Sequence, residues 1–228
     1  MAKSIFAREE SAGIAVIMVD TMAMHISHYI KTACLMVNLY HVISICNNKL
    51  VDSIILDDVL PAGLLHDVGK LLIPPSILDA NRALTSPEWS QMRMHPFLGE
   101  KILKGSENTL RELFPYANYH SINNAVKYHH ERIDGHGYPY GISGNQIPQI
   151  ARLCAVADTY DAVTSDRPYR RGKPKEYALS VLQSVAGTQL DAAYVQIALN
   201  HPAWTDISDD ERLTQLCITS FARLEGVD

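Results

Sequence analysis

The chain predicts an all-α fold, and three features of its sequence carry that expectation. Apolar residues recur at helical spacing, helix starts and stops carry recognisable capping chemistry, and no run of strand-like alternation appears. With 228 residues, 47% of them apolar, the chain can bury a sizeable core. The reading is one compact helical domain over residues 20–205, with an N-terminal segment 1–19 before it and an amphipathic helix over 206–228 packed on it.

Each element has a local reason. Residues 20–46 lack proline and glycine and suit a helix, with Asn47-Asn48 as its stop. Val51 to Leu65 is a second apolar helix, and Pro61 should kink it or open a new one. Gly69 frees the backbone to turn, and Ile73-Pro74-Pro75 argues against helix there. Thr85-Ser86-Pro87-Glu88 marks the next start with a hydroxyl cap, a first-turn proline and a glutamate that reaches back. That helix runs into His95-Pro96, where the proline should kink or break it. Tyr119 to His129 is helical. The glycine- and proline-rich stretch from Asp134 to Pro148 is too long for an ordinary connection and, with Tyr138 and Tyr140, reads as an ordered functional loop. Gln149 to Ser165 returns to helix, with Asp158 and Asp161 on one face. Lys175 to Ala186 follows, stopped by Gly187, and Asp191 caps a helix to Asn200. Ser208 with Glu211 caps a last amphipathic helix through Leu224.

The net charge of −5 argues against a sequence-independent DNA or RNA binder, which would need a basic face, but it allows a small anionic ligand at a local basic patch. Cys34, Cys46, Cys154 and Cys217 form no Cys-x-x-Cys pair and sit in apolar contexts, so they read as buried free thiols of a reduced compartment. The apolar patch Ala12 to Val19 is too short to span a bilayer and has no convincing cleavage site. A cytoplasmic location, without membrane attachment, is the expectation.

Polar residues of ligand type interrupt the apolar pattern in four segments. Leu64-Leu65 runs into His66-Asp67-Val68-Gly69-Lys70; His95-Pro96 follows; then His129-His130-Glu131-Arg132-Ile133-Asp134-Gly135-His136-Gly137-Tyr138-Pro139; then Asp158 and Asp161. Two carboxylates on the face of an apolar helix need cations or donors, because a buried unpaired charge is costly. Arg167-Pro168-Tyr169-Arg170 comes directly after them, so that basic stretch reads as a phosphate grip rather than a solvated loop.

This ordered set strongly resembles the HD-GYP family of metal-dependent phosphodiesterases, over about His28 to Asn200. The resemblance implies a first ligand on the first helix, where His28-Tyr29-Ile30-Lys31-Thr32-Ala33-Cys34-Leu35-Met36 fits the family pattern better than the run from His25; both registers stay open. It implies that His28, His66, Asp67 and Asp158 hold one ion and that Asp67, as a bridge, holds a second with His95, His129 and His130. Nitrogen and oxygen donors without thiolate suit iron or manganese foremost, with cobalt, nickel or zinc as alternatives, and seven donors suit two divalent ions better than one. Asp67, Lys70 and Asp161 would be catalytic: Asp67 as the bridge, Lys70 at the metal-bridging hydroxide or a phosphate oxygen, Asp161 orienting a ligand or a water. Lys70, Arg167, Arg170 and Tyr138 would bind substrate.

The activity implied by the resemblance is hydrolysis of cyclic di-GMP to the linear dinucleotide pGpG, and slowly to GMP. Cyclic GMP-AMP is the alternative substrate. A non-catalytic module that binds cyclic dinucleotides or diguanylate cyclases (GGDEF proteins) is the alternative class, and a nucleoside monophosphate, as in the wider HD superfamily, is a third reading. Family members that hold three ions carry a glutamate four residues before the first-helix histidine. Here that position is Met24, or Thr21 in the His25 register, so two ions are expected. Members usually carry a receiver or sensor domain in front, and none is read in these residues.

Overall fold

A computed structural model describes residues 26–46, 50–51, 54, 56–166 and 170–206. Met24, His25, Arg167 and the capped tail from Ser208 lie outside the described residues. Among those described, all regular structure is helical, and an isolated bridge pairs Ala186 with Leu190. The long helices are α1 (Ile26–Cys46), α2 (Leu56–Leu65), α5 (His95–Gly105), α7 (Tyr119–Tyr128), α8 (Gln149–Thr164), α9 (Lys175–Val185) and α10 (Ala192–Asn200). Shorter ones are α3 (Pro75–Leu78), α4 (Ser86–Met92) and α6 (Glu107–Leu113).

Helix α1 is the spine. It is long and apolar enough by composition to cross a membrane, but half of its apolar stretch is buried inside the bundle. Its two ends enter two apolar clusters. Leu35, Met36, Leu39 and Ile43 pack with Leu153 and Val156 of α8, Leu182 of α9, Tyr194 of α10 and Trp204. Tyr29, Ala33 and Cys34 pack with Leu64 and Leu65 of α2, Leu103 of α5 and Ile122 and Val126 of α7. The helices that carry ligand-type residues therefore pack around α1 or onto one another.

Two glycines set how closely those helices approach. A Cβ on Gly63 would lie 2.5 Å from Ala33 Cα, so glycine lets α2 run against α1. A Cβ on Gly69 would lie 1.8 Å from the His95 carbonyl oxygen and 2.5 Å from Gly99 N. Gly69 is thus required less for turning, as the sequence suggests, than for admitting α5 against the 3₁₀ turn Val68–Leu72.

Several boundaries move from their expected places. Pro61 lies inside α2, buried, and the helix begins only at Leu56. Pro75 opens the short α3 at its first turn, where a missing N–H costs nothing, although the Pro-Pro pair argues against helix there. The helix capped by Thr85 ends at Met92, and Pro96 sits in the first turn of a separate α5, so the chain breaks rather than kinks. Cys34 and Cys154 are buried, but Cys46 is exposed at the end of α1, with its Sγ 3.3 Å from His201 Nε2. Ile45 beside it is 86% exposed as well, so the last residues of α1 stand clear of the core.

Candidate metal centre

Asp67 follows α2 and is almost fully buried, and its two carboxylate oxygens face different histidines. Oδ2 lies 3.4 Å from His28 Nε2 and 3.4 Å from His66 Nε2. Oδ1 lies 3.0 Å from His95 Nε2 and 3.6 Å from His129 Nε2. Asp158, one face of α8 presented to the same place, has Oδ1 3.6 Å from His28 Nε2 and 3.8 Å from His66 Nε2. Ligand atoms of His28, His66 and Asp67 gather within 4.8 Å of one another, and so do those of Asp67, His95, His129 and His130. The structure thus brings six of the seven sequence-assigned ligand residues together in two groups, with Asp67 common to both, and sets the seventh, Asp158, within 3.8 Å of His28 and His66.

The backbone decides which nitrogen of each ring points inward. His66 Nδ1 donates to the Gly63 carbonyl at 2.8 Å and His95 Nδ1 to the Met92 carbonyl at 2.8 Å. His129 Nδ1 lies 3.1 Å from the Ala125 carbonyl and 3.0 Å from that of Val126. With Nδ1 carrying the proton, a neutral ring turns a bare Nε2 lone pair towards the Asp67 carboxylate. Lone pairs facing lone pairs repel, and His66 Nε2 and Asp67 Oδ1 are buried without a hydrogen bond. A cation between them removes both defects, and fixing Nδ1 on a carbonyl is how ligating histidines are oriented. The donor set, nitrogen and oxygen only, fits borderline divalent ions.

Charge reinforces the arrangement. Burial lowers the pKa of His95, outweighing the pull of Asp67, and burial with the nearby His129 and His95 drives that of His130 well down. Burial would raise Asp67, but the charge of Lys70 beside it holds it well below the usual carboxylate range. His28 differs: burial would lower it, yet hydrogen bonds to Asp161 and Asp67 and the charge of Asp158 raise it to about 9. A divalent ion would compete with that proton for the same carboxylates.

Asp161 is completely buried and receives the His28 Nδ1 proton at 2.5 Å, while its other oxygen takes Lys31 Nζ at 2.9 Å and Ser165 Oγ at 2.6 Å. Burial alone would raise its pKa, but the His28 and Ser165 hydrogen bonds and the Lys31 charge hold it at about 2. It orients His28 and does not face the cleft. Lys70 pairs with Asp67 Oδ2 and reaches the cleft surface.

The loop after His130 is tied back onto the centre. Glu131, buried, accepts the N–H groups of Tyr140 at 2.7 Å and Gly141 at 3.2 Å, and Tyr138 N donates to the His130 carbonyl at 3.2 Å. The Tyr138 ring consequently stacks on His130, with centroids 4.7 Å apart at 26°. Sequence reading passed over Glu131 because its task is to hold backbone, which has no motif of its own.

Arg170 is placed away from the expected phosphate grip. Its guanidinium donates to the Val163 carbonyl at 3.2 Å and to that of Ala162, at the C-terminal end of α8 where carbonyls lack helical partners. The fork is therefore occupied holding a helix end. A cleft of about 710 Å³ opens above the centre, lined by His28, Lys70, His95, His130, Tyr138 and Asp158. Residues of α3 and α4, with the chain between them, line it as well. Arg93, exposed at that rim with its guanidinium carbon 5.5 Å from the Tyr138 ring centre, is a cation the sequence did not single out. Its position two residues before His95 was the available signal.

Residues 17–194 match the family model of the HD domain. A cyclic di-GMP phosphodiesterase of Pseudomonas aeruginosa, PA4108, is 43% identical over 111 residues, covering 49% of this chain and 25% of the relative. The cyclic di-GMP phosphodiesterase response regulator RpfG of Xanthomonas campestris is 37% identical over 156 residues, 68% of this chain and 37% of the relative. A 3'3'-cGAMP-specific phosphodiesterase of Vibrio cholerae is 35% identical over 130 residues, 57% of this chain and 26% of the relative. The chain thus spans between a quarter and about two fifths of the length of these relatives. Among solved structures, Bd1817, an HDG"Y"P protein from Bdellovibrio bacteriovorus, superposes with a TM-score of 0.55 at 19% identity, over 76% of this chain and 50% of that one, a likeness of fold. With the His66-Asp67 pair at the heart of a helical bundle and the Gly137-Tyr138-Pro139 loop folded against it, the chain belongs to the HD domain family, in its HD-GYP group.

Proposed function

We propose that this chain hydrolyses a phosphodiester bond of a cyclic dinucleotide at the Asp67 centre, with cyclic di-GMP as substrate and the linear dinucleotide pGpG as the accumulating product. The observation that carries this reading is the divided Asp67 carboxylate, one oxygen turned to His28 and His66 and the other to His95 and His129, beneath a cleft of ligand size. Divalent ions held there would supply Lewis acidity at phosphoryl oxygens and lower the pKa of water towards neutrality. Two ions, rather than three, suit the two groups that share Asp67 and the thioether of Met24 four residues before His28.

The chain's own residues provide the rest. Lys70 carries positive charge at the edge of the centre, where negative charge on phosphorus oxygens grows as the bond breaks. Asp161 keeps the His28 ring in one orientation, and the carbonyls of Gly63, Met92 and Val126 do the same for His66, His95 and His129. Tyr138 closes the side of the cleft over His130.

Cyclic GMP-AMP is the second reading, supported by the Vibrio cholerae relative named for that substrate. The test is product analysis of manganese- or iron-loaded protein given each compound separately, beside elemental analysis. Linear dinucleotide from cyclic di-GMP, ahead of GMP, is expected, with two ions per chain. No cleavage of either compound by the loaded protein would overturn the reading.

A further inference from the structure

The cleft lining combines a polar cluster with an apolar one. Besides the polar centre, the cleft is lined by the apolar Ile77, Leu78, Ala83, Leu84, Trp89 and Met92, with Asp79 and Arg82 among them. Trp89 and Met92 are three residues apart on α4 and so share its cleft face. Trp89 is 48% exposed, whereas the chain's other tryptophan, Trp204, is 1% exposed in the core.

Helix α4 contains no buried residue, and seven residues make too short a helix to persist alone. What holds it is local and polar. Glu88 accepts from Thr85 N at 2.8 Å and Thr85 Oγ1 at 2.9 Å, completing a capping box. The Arg82 fork closes on the same carboxylate at 2.8 and 2.6 Å. The Arg82 guanidinium, though on the cleft, is thus committed to bracing the wall rather than offered to a ligand. The result is a braced, half-wet indole lining the same ligand-sized cleft as the Asp67 centre.

We propose that Trp89 is a nucleobase subsite: one base of the cyclic dinucleotide stacks on its indole, with Met92 and Leu84 beside it, while the phosphodiester lies over the Asp67 centre. This rests on the reading of the cleft as a cyclic-dinucleotide site. The bases are the flat, largely apolar parts of such a ligand, and every base offers a π-face to an aromatic side chain. Stacking of this kind tolerates guanine and adenine alike, so Trp89 supplies affinity for cyclic di-GMP and cyclic GMP-AMP without choosing between them.

The experiment uses tryptophan fluorescence of the full chain titrated with GMP, and with ribose 5-phosphate as the probe that lacks a base. GMP should quench emission and ribose 5-phosphate should not, and Trp89→Phe should remove most of the quenching while keeping affinity within about threefold. Trp89→Ala should weaken GMP binding and raise KM for the cyclic dinucleotide about tenfold or more, with kcat within about twofold. As α4 buries nothing, circular dichroism should show the wild-type helix content and melting profile in both variants. Quenching by GMP in a protein that cleaves neither cyclic dinucleotide supports the subsite and overturns only the hydrolytic reading. Normal hydrolysis with unchanged KM and GMP affinity in Trp89→Ala overturns the subsite alone.

Discussion

His95 Nε2 lies 3.0 Å from Asp67 Oδ1 while the opposite ring nitrogen of His95 is already bonded to the Met92 carbonyl. The pair is close enough for a hydrogen bond, yet Asp67 Oδ1 has none. A carboxylate oxygen and an imidazole lone pair held together in a buried site are a donor pair suited to a cation, and the same holds across the carboxylate at His66.

Asp67→Ala should therefore empty both groups at once. Metal content should fall from two ions per chain to none, and hydrolysis should drop by more than the roughly 10–100-fold loss usual for a group one step removed from a metal. Elemental analysis beside turnover measurement decides the matter. Two retained ions with near-normal turnover would remove Asp67 from its bridging place.

Asp161→Ala removes the acceptor that orients His28 and also leaves Lys31 without its carboxylate. Metal affinity should weaken by about 10–100-fold, chiefly in the group containing His28 and His66, while the group around His95 keeps its ion. Competition with a chelator, reading each ion's release, separates a selective loss from a general one. Equal loss at both positions would count against an orienting role.

Arg170→Ala should affect stability rather than substrate. Losing two charge-assisted bonds to the end of α8 costs about 1.5–3 kcal/mol, which lowers Tm by roughly 5 °C in a domain of this size. KM should stay within about twofold, as measured by steady-state kinetics on the refolding-competent protein. A tenfold rise in KM with Tm unchanged would return Arg170 to the phosphate grip. Arg167, outside the described residues, remains the expected phosphate contact of that segment.

Acid should loosen the cleft wall at a defined place. Hydrogen bonds from Arg82 and Thr85 lower the pKa of Glu88 from 4.5 to about 2. A depressed carboxylate stabilises fully above its ordinary pKa, and that contribution fades as pH falls from about 4.5 through about 2. Trp89 emission, followed from pH 5 downwards, should shift in that window in the wild type. Glu88→Gln, which has no proton to gain, should be flat there, and an identical titration in both proteins would place the transition elsewhere.

What the sequence determined by itself was local. The all-α class, the capping box at Thr85 and the Asp191 cap follow from chemistry within a few residues, and the structure contains each of them. The candidate ligand residues were also legible, because a polar His66-Asp67 pair ending an apolar run, and adjacent His129-His130, violate the surrounding pattern and so announce themselves. Tertiary structure alone decided the rest. His28 and Asp161 are 133 residues apart and meet only because α1 and α8 share a core. Gly69 matters for the His95 carbonyl it lets approach, Arg170 for the carbonyls it happens to reach, and Cys46 is exposed because the end of α1 outruns its neighbours. Trp89 looked like any apolar residue on a short helix, since periodicity records which face a side chain takes but not what stands opposite it. Which surfaces share a cleft is set by how distant helices pack, and only that packing put a half-exposed indole in the same cleft as the Asp67 centre.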